Sequence, residues 1–434
     1  MIMDLARALT SLAVFVITYA LILSGRLQQT LAALVGATAM ILVGVAFNFY
    51  NPHTITEAID VDTILLLSGM MIIVGLLKRT GFFQYVAIKA AKWSKGNVIT
   101  LFLGLSLTTA VLSMFLDNLT TMLTFVPVTL SIAEVMGISA LPFILGETVA
   151  ADIGGVFTLI GDPPNVIIGS AAGFSFNDFL THTAPVSILV LLLTLVFLVF
   201  RYRTSLRSQN AQISVLMQMD ERRALTSPHD MAKLLGVFGI VIILFLVHAW
   251  LHISPGLAAL CGAALSIVVL RPRVETVLES IDWELIIFLI CLFVVVGGLN
   301  RSGVLPFLAR RLSLVGGSSV LWLALVFFWS AGFLTLFISA VPAVVAFVPI
   351  VNELGALGLA TNPLWWALAL GVGFAGVGTP FATAANIGVV DLSKRGNQPI
   401  RYKDWVSVGI PVFLMAGILG SLCIWLGIRT GWFF

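Results

Sequence analysis

Three acidic residues lie in a tract apolar enough to sit in a bilayer. Residues 147–170 read Glu147-Thr-Val-Ala-Ala-Asp152-Ile-Gly-Gly-Val-Phe-Thr158-Leu-Ile-Gly161-Asp162-Pro163-Pro164-Asn165-Val-Ile-Ile-Gly-Ser170. Consecutive prolines remove two backbone donors and clash with the preceding turn, so a helix breaks there. Lipid does not tolerate an exposed break, so the break must line a cavity inside the protein. A second tract, Ser113-Met-Phe-Leu-Asp117-Asn118-Leu-Thr120-Thr121, again sets a carboxylate, an amide and hydroxyls in apolar surroundings. Brought to one depth, the two tracts offer hard oxygens that suit Na⁺ or a hydroxylated solute, and carboxylates that can carry a proton. Asp117 and Asp162 lead the candidates, with Asn118, Thr120, Thr158 and Asn165 beside them. Asp162 has a structural alternative, capping the half-helix that follows. Asp152 has another, a hydrogen bond across helices. Glu147, near the end of its span, reads as structural.

The elements that must position these groups are membrane helices. The 434 residues are 59% hydrophobic and 10% charged, with mean hydropathy +1.09, where a soluble domain carries about a quarter charged residues. Apolar runs near ~20 residues mark an all-α polytopic membrane protein. Spans are expected at about 9–25, 31–50, 61–78, 142–169 and 184–203, then at 234–252, 255–270, 283–299, 364–388 and 406–428. The first apolar run reads as a span, not a cleaved leader. Two longer stretches, 97–135 and 318–354, have polar or Pro residues near their centres and read as re-entrant hairpins. The first tip is expected at Asp117–Thr121. Cys261, Cys291 and Cys423 lie far apart in apolar runs and suggest neither disulfides nor a metal site.

The chain repeats itself. At an offset of 222, Asp62 meets Glu284, Arg79 meets Arg301 and Pro127 meets Pro349; at 221, Thr158 meets Thr379 and Asn165 meets Asn386. Five spans per half force the second half to insert upside down. The expected fold is therefore two inverted-topology repeats of five spans plus a re-entrant hairpin each, with broken helices at the midplane. Residues 1–203 form the first repeat, 204–233 a cytoplasmic linker and 234–434 the second repeat. The second repeat lacks the charges: Asp117-Asn118 becomes Ser339-Ala340, Asp162 becomes Thr383 and Asp152 becomes Gly373. Ser339, Thr379, Thr383 and Asn386 remain as neutral candidates, which fits one ion or proton site. Of the 23 Lys and Arg, 18 fall in cytoplasmic segments on this topology, leaving Arg7, Arg301, Arg310, Arg311 and Arg429 outside. That is a strong positive-inside bias, and it places both termini outside the cytoplasm. No Lys or Arg is expected at midplane depth, which disfavours direct pairing with a multiply charged anion.

Met114-Phe-Leu-Asp-Asn-Leu-Thr120 and Ile153-Gly-Gly-Val-Phe-Thr-Leu-Ile-Gly-Asp-Pro-Pro-Asn165 resemble tracts of the ion transporter superfamily that contains ArsB-type arsenite/antimonite permeases, NhaD sodium/proton antiporters and the melanosomal P protein. The resemblance covers the whole chain. It implies a scaffold domain, a moving transport domain of hairpins and broken helices, often a homodimer, and in some arsenite permeases a separate soluble ATPase subunit. It implies a site at Asp117, Asn118, Thr120, Thr158, Asp162 and Asn165. The second hairpin departs from it, since many relatives repeat an Asp-Asn pair where Ser339-Ala340 stands.

The expected function is a secondary transporter of the cell inner membrane. It exports arsenite or antimonite by an elevator-type mechanism coupled to H⁺ or Na⁺, with no other cofactor and no nucleic-acid partner. Alternatives are Na⁺/H⁺ antiport or transport of another anion or solute. An intramembrane aspartyl protease would need Gly-x-Gly-Asp, but the chain has Leu159-Ile-Gly-Asp162. A passive channel would not accumulate solute.

Overall fold

The computed structural model describes residues 5–95, 97–207, 220–316, 319–395 and 398–434. Apolar runs opened by capping residues give the helices their starts. The first repeat comprises α1 (Leu5–Ser24), α2 (Gln29–Ala46), α3 (Val61–Arg79), α4 (Phe82–Trp93), α5 (Val98–Ser113), α6 (Asn118–Met136), α7 (Leu141–Gly155), α8 (Pro163–Ala172) and α9 (Phe176–Arg201). The order recurs as α10 (Pro228–Leu251), α11 (Pro255–Leu270), α12 (Trp283–Arg301), α13 (Val304–Gly316), α14 (Val320–Ile338), α15 (Ala340–Ala356), α16 (Asn362–Ala375), α17 (Ala384–Arg395) and α18 (Tyr402–Thr430). Asp60 and Asp282 cap α3 and α12, and Asn97 and Ser319 cap α5 and α14. The caps thus sit at matching positions of the two halves. Among the described residues, nine helices are long and apolar enough to cross a membrane.

Three expectations shift. α9 starts at Phe176, not 184, because a Ser175–Asp178 capping box opens it and its polar first turns lower hydropathy without ending the helix. α10 starts at Pro228, not 234, because Ser227 caps it and proline suits the first helical position. Residues 228–233 are therefore helix, and residues 208–219 of the expected linker lie outside the described part. Helices α4 and α13 were not expected. α4 is amphipathic and buries Phe83, Ala87 and Ala91 along one face. Lys92 on α4 pairs with Glu221 at 2.7 Å, and Thr226 N–H donates to Thr80 O at 2.9 Å, which ties the chain after the linker to the first repeat.

The two repeats interlock. α2 packs on α12 and α11 packs on α3; α6 packs on α17 and α15 packs on α8. Helices α1 and α2 pack with α12 and helices α3 with α10 and α11, as two flanking trios, while α5–α9 with α14–α18 form a second, central group. Close approach in the second group depends on glycine: a β-carbon at Gly161 would lie 2.8 Å from the Ser113 carbonyl oxygen.

Candidate functional site

Both hairpins turn, and both helices break, around one cavity of about 800 Å³. Its floor comes from four places: Asp117–Thr120 after the first turn, Asp162–Pro164 at the first break, Ser339–Val341 at the second turn and Thr383–Ala385 at the second break. Its walls are Met71, Val74, Gly75 and Lys78 on α3 and Leu285 and Phe288 on α12. Arg79 and Glu279, paired at 2.7 Å and mostly exposed, stand at the mouth.

Of the expected site residues, Asp117, Asn118, Thr120, Asp162, Ser339 and Thr383 line this cavity. Asp117 is the N-cap of α6 and accepts from the Thr120 N–H at 2.8 Å. It is thus partly engaged, and Lys78 and Asp282, at helix ends, line the same cavity. Asp162 occupies the N-cap position of α8 yet makes no side-chain capping bond. The reason is local. Pro163 and Pro164 have no N–H, and the Asn165 N–H donates to the Asp162 carbonyl at 3.0 Å. The Asp162 carboxyl therefore stays free beside the cavity.

Thr158, Asn165, Thr379 and Asn386 do not line the cavity; they hold its frame. Asn165 Nδ2 donates to Gly155 O at 3.1 Å and Thr158 O at 2.9 Å, and Thr158 donates to Met114 O. The second repeat copies every bond: Asn386 Nδ2 donates to Gly376 O at 2.8 Å and Thr379 O at 3.1 Å, and Thr379 donates to Leu336 O at 2.8 Å. Each broken helix is thereby closed on itself and tied to the end of its hairpin. These bonds satisfy carbonyls that the breaks would otherwise leave bare. Asp152 sits behind the floor, 1% exposed, and accepts from Asn118 Nδ2 at 3.3 Å. Glu147 accepts from Thr129 at 2.6 Å, which ties α7 to α6.

Ser339 turns the second hairpin at φ 82° and ψ 154°. That backbone region strains a residue with a β-carbon by ~1–3 kcal/mol. Ser339→Gly is expected to raise stability by about 1 kcal/mol, net of glycine's greater unfolded-state entropy. Thermal unfolding in detergent measures this, and an unchanged or lower midpoint would show that the turn carries no strain.

A second cavity of about 550 Å³ mirrors the first on the other side of the repeats. Phe293, Val296, Gly297 and Arg301 line it, the offset-222 counterparts of Met71, Val74, Gly75 and Arg79. The Arg301–Glu57 pair at 2.6 Å reproduces Arg79–Glu279. This cavity does not include the hairpin turns. Ser170 on α8 donates to Asp60 at 2.9 Å beside it. The structure is thus open to its turns from one side only.

Lys78, Glu279, Asp282 and Glu284 line the first cavity without having been expected there. They sit at helix ends and read as loop charges. The repeat offset was the available signal, since it aligns Glu279 with Glu57 and Asp282 with Asp60.

Interlocked inverted repeats around paired turns and breaks define a membrane transporter, not an enzyme. The chain belongs to the CitMHS citrate transporter family, which matches residues 19–371. It is 38% identical over 426 residues to a 46 kDa membrane protein of Mycobacterium leprae, covering 96% of this chain and 98% of that one. It is 31% identical to the magnetosome protein MamN of Magnetospirillum gryphiswaldense, over 83% of each chain. It is also 26% identical to the P protein of Mus musculus, covering 98% of this chain and 61% of that one. The YdaH transporter of Alcanivorax borkumensis shares the fold, with a TM-score of 0.62 at 16% identity over 90% of each chain.

Proposed function

We propose that this chain is a secondary transporter that moves a small oxygen-rich solute together with a proton or Na⁺, by elevator-type alternating access. The observation that carries this reading is the single cavity floored by both hairpin turns and both helix breaks, set against a mirrored cavity that stops short of them. The group of α5–α9 with α14–α18 is the moving body in this reading, and α1–α3 with α10–α12 is the scaffold. Residues 1–203 and 234–434 are the repeats that exchange conformations. The side of Lys78 and Arg79 is cytoplasmic on the positive-inside bias, so the conformation is inward-open.

The lining sets the substrate class. Asp117, Asp162, Glu279, Asp282 and Glu284 face the same cavity as Lys78 and Arg79. Free multiply charged anions are repelled by such a surplus. A polycarboxylate such as citrate, the solute named for the family, would enter only with its charge offset by a bound cation. A neutral metalloid hydroxide such as arsenite also suits this lining, which contains no thiol. Inverted vesicles with an imposed pH or Na⁺ gradient test the reading, using labelled citrate with and without Mg²⁺, arsenite, and Na⁺ as probes. Gradient-dependent accumulation of one of them above vesicles lacking the protein is expected. Equilibration without accumulation would establish a channel, and no movement of any probe would remove this substrate class.

Single cysteines test the alternating-access part. Replacements at Leu119 and Ala340 are expected to react with an aqueous thiol reagent from the cytoplasmic side, and those at Ile167 and Val345 from the opposite side. Labelling of all four from the same side would overturn the two-cavity mechanism.

A further inference from the structure

Behind the cavity floor, a carboxyl and an amide side chain come together, each with one oxygen that accepts no hydrogen bond. Asp152 on α7 and Asn386 on α17 are 1% and 0% exposed. Both hydrogens of Asn386 Nδ2 go to backbone carbonyls, so its Oδ1 is the atom left over. Asp152 Oδ1 accepts from Asn118, while its Oδ2 has no partner. Asn386 and Thr383 are the side chains that face the Asp152 carboxyl. Two buried acceptors without donors are unfavourable, and one proton on Asp152 Oδ2 resolves both by donating to Asn386 Oδ1. A bound metal ion fits less well. Among the described residues no group of three or more acidic, histidine or cysteine side chains gathers here, whereas hard divalent cations favour clustered carboxylates.

We propose that Asp152 carries the coupling proton and shares it with Asn386 across the seam between the two repeats. This deepens the transport reading and rests on it. The proton passes from cavity water to Asp152 Oδ2, forming one O–H bond, and returns to water when the opposite side opens. Thr383 and Asn118 stand between the cavity and Asp152, since both line the one and face the other. Asn118 also accepts from Ser113 at the end of α5, so the state of Asp152 is felt at the first hairpin turn. Loss of the proton sets a carboxylate against the Asn386 carbonyl and loosens α7 from α17. The counterpart of Asp152 is Gly373, so one such site exists per chain.

The charged groups nearest Asp152 lie on its own helix and across the break. Asp162 is the charged group that acts on it, and Glu147 lies five residues back on the same helix. Of the helices packed against α7, α5 and α16 carry no charged residue, and α6 carries only Glu134. α9 carries Asp178, His182 and Arg201; α17 carries Asp391, Lys394 and Arg395; α18 carries Tyr402, Lys403, Asp404, Cys423 and Arg429. All but Cys423 lie toward helix ends.

The test uses the purified full-length protein in detergent and needs no solute. Asp152→Asn keeps an oxygen for Asn118 and places an N–H₂ opposite Asn386 Oδ1, so it mimics the protonated form and folds. Infrared difference spectra between acid and alkaline pH are expected to show a protonated-carboxyl C=O band in the parent that is missing in Asp152→Asn. Parent minus variant isolates Asp152, because both retain Asp117, Glu147 and Asp162. The unfolding midpoint of the parent is expected to fall as pH rises through the loss of that band, and that of the variant to fall less over the same range. An identical band and slope in both proteins would overturn the proposal. So would a midpoint raised by Na⁺ over choline in the parent alone with no pH slope, which would assign the site to Na⁺. Vesicle uptake reports on the transport reading separately, so either result stands without the other.

Discussion

Asp162→Asn is expected to lower gradient-driven uptake into inverted vesicles about 100-fold while leaving the unfolding midpoint within about a degree of the parent. The loss follows from the free carboxyl. The two prolines after it have no N–H and the Asn165 N–H goes to its backbone carbonyl, so its charge is available to a cation or to a cation-bearing solute. Removing one partner of a desolvated charge pair costs about 3 kcal/mol, which is about 100-fold in binding. Folding is spared because no hydrogen bond of the carboxyl holds the break together. Asp117→Asn is expected to be milder, about tenfold, because asparagine caps a helix as well as aspartate and the cap to Thr120 survives. Initial rates with an imposed gradient, measured beside thermal unfolding, check both. Uptake by Asp162→Asn within about threefold of the parent would place the cation elsewhere.

The sequence ranks these two carboxyls together, and the structure separates them for a local reason. Pro163-Pro164 reveals a broken helix to any reader, because two missing N–H groups have no other outcome in lipid. The repeat offset shows that the break has a partner at Gly376–Thr383. Both hairpins and the depleted second repeat follow from the same comparison. What each carboxyl does is not legible in this way. Asp117 and Asp162 both precede a helix, and what separates them is how the first-turn N–H groups are used: the Thr120 N–H meets the Asp117 carboxyl, whereas Pro163 and Pro164 have none and the Asn165 N–H goes to the Asp162 backbone carbonyl. The cavity walls were hidden for another reason. Arg79 meets Glu279 across 200 residues, and Asp152 faces Asn386 across the two repeats. No local pattern encodes such pairs. Helix α4 was missed because hydropathy averages over its two faces, although Phe83, Ala87 and Ala91 already mark a buried stripe. The early start of α9 was missed because a capping box weighs more than the hydropathy of the polar turn it opens.

Asn165→Ala and Asn386→Ala are expected to destabilise the protein by similar amounts, about 2–6 kcal/mol each. The estimate rests on two carbonyls left bare in each case, at about 1–3 kcal/mol per unsatisfied buried group. For Asn165 the carbonyls are Gly155 and Thr158, and for Asn386 they are Gly376 and Thr379. A loss of this size is comparable to the whole stability of an ordinary domain, so yield of folded protein should fall as well. Asp replacements at either position should be worse, because they set a further acceptor against both carbonyls. Equal loss at both positions is the signature of a frame that the two repeats share. Transport should not follow the same symmetry. The carboxylates at the turns and breaks belong to the first repeat alone, and Asn386 also faces Asp152. In the folded fraction that remains, Asn386→Ala should therefore weaken coupling to the proton gradient more than Asn165→Ala does. Unfolding midpoints, together with uptake normalised to folded protein, measure the two effects separately. Equal stability with unequal coupling is the expected pair of results; a large stability loss at one position only would show that the frame is not shared, and equal coupling would remove Asn386 from the proton's path.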